Sequence, residues 1–419
     1  MHLIHRKTCR VCGSAALTKV IDLGEQHLQG SFVKPGKVPP PLRKVPLRVL
    51  RCDPTRDERA CGLLQLEHST PPDILYASYW YRSGTNQTMR THLASLASDA
   101  ASLAGRPGAR VLDIGCNDGT LLKSYPADYA KFGVDPSDVA QSVTGATVIQ
   151  DLFPSPKLTA AVHGERFDII TSIAMFYDLE QPVECARAIA DQLAPDGVWI
   201  FELSYMPTML ALDSYDTICH EHLEYYSLAV IERIARDAGL RVLRIDFNEI
   251  NGGSIRCYAV PAASSKTASA DDRRVLAACR HAEFELALDT DEPYLAFQRR
   301  VEALRDELRD LVRTLRADGK RIHVYGASTK GNTILQYCGI GREHVECAAD
   351  RNPEKHGART LGTDIPIVSE EESRAGRPDY YLVLPWHFRS EFLERERATL
   401  ERGCGLIFPL PKVEIVRRG

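Results

Sequence analysis

The middle of the chain alternates short apolar runs with longer amphipathic ones. The apolar runs predict strands at residues 111–115, 131–135, 147–151, 167–175, 197–204, 241–247 and 253–260. The run FDIITSIAM is apolar almost throughout, which is typical of a strand covered on both faces. Strands that alternate with helices form a doubly wound parallel sheet, so this pattern predicts a Rossmann-like α/β domain of about 155 residues.

The regions on either side of this domain have other patterns. Residues 89–103 form an amphipathic run that predicts a helix. Residues 265–318 are highly charged, with apolar residues at helical spacing, and predict one long amphipathic helix. A second strand-turn-helix pattern begins at Arg321 and predicts a smaller Rossmann-like domain. We therefore divide the chain into residues 1–75, 76–262, 263–318 and 319–419.

Length and charge narrow the classes of function. The chain has 419 residues, with 52 basic and 56 acidic side chains and a net charge of −4. A nucleic-acid partner is not expected, because no basic excess is present to neutralise a phosphate backbone. No apolar run approaches the ~20 residues of a membrane-spanning helix. The first residues lack the apolar core of a secretory signal, so we expect a cytoplasmic protein that does not bind membranes.

The cysteine spacing predicts a small N-terminal zinc domain. Cys9 and Cys12 form a Cys-x2-Cys pair before Gly13, and Cys52 and Cys61 follow later in the chain. Four thiolates would close a tetrahedral structural zinc site, although the eight residues inside the second pair are more than usual. The alternatives are four free thiols, or a substitute ligand from among His5, His27 and His68.

A glycine loop follows the first predicted strand of the central domain. Its pattern is Asp113-x-Gly115-x-Asn117-x-Gly119, and glycines let a backbone approach a ligand closely. Asp135, at the end of the next strand, suits the two hydroxyls of a ribose. The loop differs from the G-x-G-x-x-G of dinucleotide folds and resembles the S-adenosylmethionine site of Rossmann-like methyltransferases. A dehydrogenase and a non-catalytic fold are the alternatives.

Further cofactor contacts are expected at the ends of neighbouring strands. Asp151 is placed to bind an exocyclic amine, and Phe153 to cover the adenine. The full set of candidate cofactor-binding residues is Asp113, Gly115, Asn117, Gly119, Asp135, Pro136, Asp151, Leu152, Phe153 and Ser172.

A polar segment, HEHLEYY at residues 220–226, follows the strand at 197–204. The carboxyl ends of strands are where α/β folds hold substrates. Histidine titrates near physiological pH, which favours general acid/base chemistry in this segment. A mononuclear metal site and a plain solvated loop are the alternatives. Upstream, the segment YWYRS at residues 79–83 predicts either substrate contact or aromatic packing between domains.

A second glycine loop, GASTKGN at residues 326–332, opens a helix in the C-terminal domain. Backbone amides and hydroxyls at a helix start suit a phosphate, and Lys330 adds a positive charge. The loop therefore predicts a second, phosphorylated ligand; the alternative is a degenerate fold that only completes the architecture. The candidate substrate-binding residues are Tyr79, Arg82, Ser83, Tyr225, Ser328, Lys330, Asn332 and Asp350.

The order of these segments resembles one family, the C-methyltransferases of nucleotide-linked deoxysugars. The resemblance covers nearly the whole chain and implies a zinc domain, an S-adenosylmethionine domain and a C-terminal Rossmann-like domain. It rests on Cys9-Arg-Val-Cys12-Gly, Asp22-Leu-Gly24, Cys61-Gly-Leu-Leu-Gln65, Tyr79-Trp-Tyr81-Arg-Ser83, Ile114-Gly-Cys-Asn-Asp-Gly119, Glu221-His222, Gly252-Gly-Ser254 and Gly326-Ala-Ser-Thr-Lys-Gly331.

The resemblance also implies a reaction. A keto group at C4 of the sugar acidifies the hydrogen at C3, and His222 matches the family histidine that removes this proton. The resulting enolate attacks the sulfonium methyl group. Tyr81 matches a family tyrosine near the sugar and is a candidate for contact with the oxyanion or the ring. The implied substrate is a 4-keto-deoxyhexose linked to dTDP, GDP or CDP, which would lie between the central domain and the second glycine loop.

Three departures from the family pattern affect the site. An Ala-His pair of the family is replaced by Met175-Phe-Tyr-Asp178, so Tyr177 is expected to take over part of that role. Cys219 stands where an aromatic residue is frequent, and His220 where an acid would precede Glu221. The candidate catalytic residues are His222, Glu221, Tyr81, Tyr177 and His220. Methyl transfer to oxygen or nitrogen, and a zinc-bearing scaffold with a relic fold, are the alternatives; a monomer or a homodimer is expected.

Overall fold

The computed structural model describes residues 3–36, 43–76 and 80–417. Tyr79 lies outside the described residues. The strands are β1 Ile4–His5, β2 Leu17–Gln26, β3 Phe32–Val33, β4 Val45–Cys52, β5 Leu64–Leu66, β6 His68–Ser69, β7 Arg110–Ile114, β8 Ala130–Val134, β9 Thr147–Ile149, β10 Phe167–Ile173, β11 Leu193–Ser204, β12 Glu224–Tyr225, β13 Leu240–Asn248, β14 Ser254–Pro261, β15 Ile322–Tyr325, β16 Ala348–Ala349, β17 Arg359–Thr360, β18 Ile367–Val368, β19 Tyr380–Val383, β20 Gly405–Phe408 and β21 Glu414–Val416.

The α-helices are α1 Pro72–Tyr76, α2 Gln87–Ala104, α3 Thr120–Ser124, α4 Pro156–Ala161, α5 Pro182–Gln192, α6 Met206–Ala211, α7 Leu228–Asp237, α8 Ala270–Glu285, α9 Glu292–Ala317, α10 Thr329–Cys338, α11 Glu370–Ala375, α12 Arg389–Arg395 and α13 Arg397–Glu401. Short 3-10 turns occur at Ser83–Thr85, Asp138–Ser142, Tyr215–Thr217, Ile250–Gly252, Pro353–Lys355 and Trp386–Phe388. Within the described ranges, no helix is both long enough and apolar enough to cross a membrane.

The N-terminal module is built on an antiparallel sheet with strand order β12-β5-β4-β2. Val45, Leu47 and Val49 alternate along β4 and are completely buried, as a strand with one covered face requires. The edge strand β12 comes from a distant part of the chain, since it directly follows the polar segment around His222. The N-terminal sheet is therefore completed by the segment in which catalysis is expected.

The central domain is a seven-stranded sheet with order β13-β14-β11-β10-β7-β8-β9. Strands β11, β10, β7, β8 and β9 run parallel, and β14 pairs antiparallel with both β11 and β13. Ile169 on β10 is paired with Val111 on β7, and both are completely buried. The predicted doubly wound sheet is confirmed, and the carboxyl ends of its parallel strands meet at one edge.

The prediction of one long helix over 265–318 is wrong, because two helices, α8 and α9, occupy this region. Ala287 between them has a positive φ of 50°, and Pro293 lies in the first turn of α9. Arg51 of the N-terminal module donates hydrogen bonds to the Asp291 carboxylate (2.7 Å) and the Asp289 carbonyl (2.9 Å). The break thus ties the connector to the N-terminal module.

The C-terminal domain is a six-stranded sheet with order β18-β16-β15-β19-β20-β21. All neighbouring strands are parallel except β20 and β21. A single apolar core joins this sheet to α9, to the N-terminal module and to the segment around Ile218 and Leu223. Strands β3 and β17 add a direct pairing between the two modules. The N-terminal and C-terminal parts therefore pack as neighbours on either side of the polar segment.

Candidate active site

The four N-terminal cysteines form the predicted metal cluster. Their sulfur atoms all lie within 4.8 Å of one another, with 3.5 Å between Cys9 and Cys61 and between Cys12 and Cys52. Zn–S bonds of about 2.3 Å in a tetrahedron separate sulfurs by about 3.8 Å, so the cluster fits a zinc ion. Among the described residues, the cluster holds these four thiols and none of the alternative histidine ligands. The four cysteines would hold a closed, structural zinc.

The loop after β7 is held by side chains of neighbouring strands. Gly115 has φ +76°, and a Cβ there would stand 3.1 Å from Cγ of Met175. The backbone N–H of Asn117 donates to the Asp135 carboxylate (2.9 Å). The Asn117 side chain accepts a hydrogen bond from the Ser83 N–H and donates one to the Tyr81 carbonyl (both 3.1 Å). The loop therefore fixes both the acid of the next strand and the segment at 81–83.

A cavity of about 660 Å³ opens beside this loop. Eight of the ten candidate cofactor residues line it: Asp113, Gly115, Asn117, Asp135, Pro136, Asp151, Leu152 and Phe153. The Asp135 carboxylate is oriented by the Ser137 N–H (2.8 Å), the Ser137 hydroxyl (2.5 Å) and the Asn117 N–H. A buried carboxylate beside a glycine turn, facing apolar Leu152 and Phe153, fits the ribose and adenine of S-adenosylmethionine.

Asp113 at the end of β7 has an unusual protonation equilibrium. Burial raises the pKa of its carboxyl group to about 7, although a hydrogen bond from the Thr171 hydroxyl (2.7 Å) opposes the shift. The nearby Asp135 charge adds to the increase. Asp113 is therefore partly protonated near neutrality.

His222 lies on the other side of the same cavity. Its Nδ1 atom is 2.7 Å from the Thr217 carbonyl oxygen, which only accepts hydrogen bonds, so Nδ1 carries the proton and Nε2 has the free lone pair. Burial lowers the pKa of His222 to about 4, and the Lys330 charge acts in the same direction. The imidazole is therefore neutral near pH 7 and can accept a proton at Nε2.

Two candidate catalytic residues contact or neighbour His222. The Tyr177 ring centroid is 4.4 Å from that of His222, and burial raises the pKa of the Tyr177 phenol well above its ordinary value. Burial also raises the pKa of Glu221 to about 7, while a hydrogen bond with Thr329 opposes the shift. Tyr81, half exposed, lines the cavity with these three residues.

The second glycine loop borders the same cavity through Ser328, Thr329 and Lys330. The Ser328 hydroxyl caps α10 by accepting a hydrogen bond from the Gly331 N–H (3.0 Å). Lys330 donates to the Asn251 carbonyl (2.7 Å) and lies 3.7 Å from the buried Asp216 carboxylate. The ammonium group is thus fixed by two contacts in the lining of the cavity that Asp135 also lines.

Comparison with known proteins identifies the family. Residues 9–76 match a model for a zinc binding domain, residues 86–245 one for a methyltransferase domain, and residues 249–411 one for the C-methyltransferase C-terminal domain. The chain is 30% identical over 417 residues to the C-methyltransferase NovU of Streptomyces niveus, which covers 97% of this chain and 96% of NovU. This chain belongs to the C-methyltransferase family.

More distant proteins match the central region. The ubiquinone biosynthesis O-methyltransferase of Nitrosospira multiformis is 27% identical over 163 residues, or 35% of this chain and 66% of that protein. A structure of magnesium protoporphyrin IX methyltransferase (ChlM) from Synechocystis PCC 6803 with bound SAM has 16% identity and a TM-score of 0.32, covering 41% of this chain and 79% of that one. The match to NovU over nearly the whole chain, together with the methyltransferase-domain match, shows that the protein is a methyltransferase enzyme.

Two candidate cofactor residues of the C-methyltransferase lie away from the cavity in the described structure. Ser172 is completely buried and accepts a hydrogen bond from the Trp199 indole (2.9 Å). Gly119 begins α3 with φ +72°, and a Cβ there would stand 2.6 Å from Val143. These two residues shape the core and the helix start, and we correct their assignment to the cofactor.

Two candidates of the polar segment also point elsewhere. His220 is buried, with Nδ1 2.7 Å from the Gln29 side-chain oxygen and Nε2 3.2 Å from the Val45 carbonyl. Tyr225 is buried and donates its hydroxyl proton to the His222 carbonyl (3.0 Å). Neither side chain is among the described residues that line the cavity. Both hold the segment in place, and we no longer assign them to substrate or chemistry.

Three candidate substrate residues are likewise outside the described cavity lining. Arg82 pairs with Glu354 (3.3 Å), although its neighbour Ser83 lines the cavity. Asn332 is buried and donates to the Gln29 carbonyl (2.6 Å). Asp350 accepts from the Ala327 N–H (2.9 Å) and lies 3.5 Å from the Lys355 ammonium group. These contacts fasten loops together.

The sequence reasoning missed several cavity residues. Glu202 at the end of β11 is buried between His92 (2.6 Å) and Arg256 (2.8 Å), which lower the pKa of its carboxyl group despite burial. Burial also lowers the pKa of His387 to about 3. The strand-end position of Glu202 was a usable signal, whereas His387 follows a C-terminal strand whose role in the cavity the sequence did not reveal.

Proposed function

We propose that the enzyme transfers a methyl group from S-adenosylmethionine to a sugar carbon, C3 of an NDP-4-keto-deoxyhexose. The observation that carries the proposal is a His222 imidazole whose Nε2 is free to accept a proton, in a residue that lines one cavity bordered by both glycine loops. A carbon acceptor needs a base and a stabilised oxyanion, and the cavity supplies candidates for both.

The proton transfer is assigned to His222. Its Nδ1–H stays bonded to the Thr217 carbonyl while Nε2 removes the C3 proton, and the C3–H electron pair forms the enolate. The Tyr177 phenol remains protonated because of its raised pKa, and with Tyr81 it is a candidate donor to the C4 oxygen. S-adenosylmethionine, when bound, supplies an electrophilic methyl group that leaves with its bonding electrons remaining on sulfur.

The nucleotide end of the substrate is assigned to the second glycine loop. Ser328, Thr329 and Lys330 line the cavity there, and a helix start with an ammonium group suits a diphosphate. A dTDP-, GDP- or CDP-linked sugar would then extend from this loop to His222.

Hydrogen exchange tests the proposal directly. The enzyme with S-adenosylhomocysteine should exchange the C3 hydrogen of a dTDP-4-keto-6-deoxyhexose for deuterium in heavy water, measured by NMR. His222→Asn should reduce this exchange about 10²- to 10⁴-fold because the general base is lost. The control His281→Asn alters an exposed histidine of α8 and should exchange normally.

Other outcomes separate the alternatives. Methylated product without C3 exchange would reject C3 as the methyl acceptor. Normal exchange in His222→Asn would reject His222 as the base. S-adenosylmethionine should bind to this variant as to the parent, which calorimetry would check.

A further inference from the structure

Arg10 lies inside the cysteine knuckle, between Cys9 and Cys12, and its side chain is completely buried. Its guanidinium donates to the Leu66 carbonyl (2.9 Å) and the Ser69 hydroxyl (2.6 Å). Its own backbone N–H donates to the Gln65 side chain (2.9 Å). The knuckle is therefore fastened along β5 by one residue.

The same guanidinium faces two carboxylates near the reaction centre. Nε of Arg10 is 3.6 Å from Glu224 and 3.5 Å from Glu180, which lines the cavity. Glu224 follows His222 by two residues, is completely buried, and has no hydrogen-bond partner for its side chain among the described residues. Burial raises the pKa of Glu224 well above its ordinary value and the Glu180 charge adds to the increase, while the Arg10 charge opposes it. A buried carboxylate without a countercharge is strongly unfavourable.

The strand that carries Glu224 is also the one that anchors His222. In β12, Glu224 is paired with Gln65 and Tyr225 with Leu64, and the Leu66 N–H donates to the Leu223 carbonyl (2.8 Å). The Tyr225 hydroxyl donates to the His222 carbonyl. The backbone on the C-terminal side of His222 is thus held by the N-terminal sheet.

We propose that Arg10 is a positioning residue for His222: by holding the Glu224 carboxyl group at 3.6 Å it keeps β12 paired with β5, which keeps the His222 Nδ1–H on the Thr217 carbonyl. This inference rests on the proposed function, because it gives His222 the role of base. It would also explain why the enzyme carries a zinc module, since that module would hold the segment that contains His222.

The test compares Arg10→Met with the double variant Arg10→Met/Glu224→Gln, which removes both charges. Arg48→Met is the matched control, because Arg48 lies in the same sheet and pairs with Asp22 and Glu67 at 3.3 Å. Side-chain ¹⁵N NMR of the histidines reports the His222 tautomer, with the signal assigned by its loss in His222→Asn. Zinc content, S-adenosylmethionine affinity and C3 exchange are measured on the same samples.

We expect Arg10→Met to mix the His222 tautomers and move its pKa toward the ordinary value. C3 exchange should fall about 10²-fold, as expected for a misplaced catalytic group. Zinc content and S-adenosylmethionine affinity should stay unchanged. The double variant should recover a single tautomer and most of the exchange, while Arg48→Met should match the parent.

Two results would overturn the inference. The first is an unchanged His222 signal and unchanged exchange in Arg10→Met. The second is a double variant that folds and binds zinc but keeps mixed His222 tautomers. This second result would overturn the inference even if Arg10→Met alone does not fold. Absence of C3 exchange in the parent, with His222 signals that respond as expected, would reject the proposed substrate and leave the positioning role of Arg10 intact.

Discussion

The two glycine loops of this enzyme are built alike and used differently. Each follows the central strand of a parallel sheet, and each donates a backbone N–H to the acid that ends the next strand. The Asn117 N–H reaches Asp135 and the Ala327 N–H reaches Asp350, both at 2.9 Å. In both domains, the acid that follows the next strand therefore holds the glycine loop by accepting a backbone hydrogen bond from it.

The difference lies in what else the two acids contact. Asp135 lines the cavity and keeps accepting capacity for ligand hydroxyls. Asp350 lies beside the Lys355 ammonium group and accepts from the Asn352 N–H (2.8 Å). The second loop instead presents its helix start, from Ser328 to Lys330, to the cavity. The same motif thus turns its acid toward the cavity in one domain and its helix start in the other, and the neighbouring residues decide which.

Zinc removal should give the largest difference between the ligand affinities assigned to the two loops. Asn332 in the second loop rests on Gln29 of the N-terminal module, whereas Asn117 in the first loop bonds to the segment at 81–83. Chelation should therefore weaken binding of dTDP-glucose by more than about 100-fold, because structural zinc contributes directly to folding of its module. S-adenosylmethionine affinity should change less than about threefold, measured by calorimetry; equal loss of both ligands would contradict this.

Substitution of Asp135 and of Asp350 should give the next largest effect. Asp135→Asn should weaken S-adenosylmethionine binding about 10- to 100-fold, because hydrogen bonds to a charged group are lost. Asp350→Asn keeps an oxygen for the Ala327 N–H and should leave the affinity for S-adenosylmethionine unchanged. Calorimetry on both variants checks the pair, and similar losses in the two would show that the acids are used alike.

Lys330→Gln should act on the second loop alone. We expect dTDP-glucose to bind about tenfold more weakly, since a charge-assisted contact with phosphate is lost. Lys412→Gln is the control, because Lys412 is exposed, pairs with Glu414 (4.0 Å) and lies outside the described cavity lining. A normal affinity for dTDP-glucose in Lys330→Gln would place the diphosphate elsewhere.

A smaller effect is expected from pH. The Glu221 carboxyl group, with its pKa raised to about 7 and facing Thr329, is neutral below this pH and negative above it. Binding of dTDP-glucose, whose phosphates do not titrate near neutrality, should weaken on the order of fivefold between pH 6 and 8 by charge repulsion. Glu221→Gln should bind equally well at both pH values. A parent affinity that is independent of pH would contradict the prediction.

The sequence predicts the parts of this fold that depend on local patterns. The parallel strands β7 and β10 each carry fully buried apolar residues, such as Leu112 and Ile170, and Gly115 marks a turn with positive φ, so the central sheet and its loop follow from the sequence. The break between α8 and α9 has a local signal in Pro293, which lies in the first turn of α9, whereas the contacts from Arg51 that hold the break have none, because Arg51 lies far away in the chain.

Of the candidate cofactor residues, Asp135 and Phe153 line the cavity, whereas Gly119 and Ser172 do not. Neighbouring side chains in a strand point to opposite faces, so a shift of one position sends Ser172 to the Trp199 side and away from the cavity. His220 and His222 carry the same chemistry, yet only tertiary contacts with Gln29 separate their roles. Long-range pairs such as Arg10 with Glu224 leave no local signal.

Strand β12 has a consequence for dividing this protein into pieces. It belongs to the methyltransferase region by position in the chain and to the zinc sheet by its hydrogen bonds. A fragment that begins after the zinc module would present β12 as an unpaired edge beside His222, and such edges invite aggregation. A fragment chosen to express the methyltransferase region should therefore include the N-terminal module, because the sheet that contains β12 is built from both.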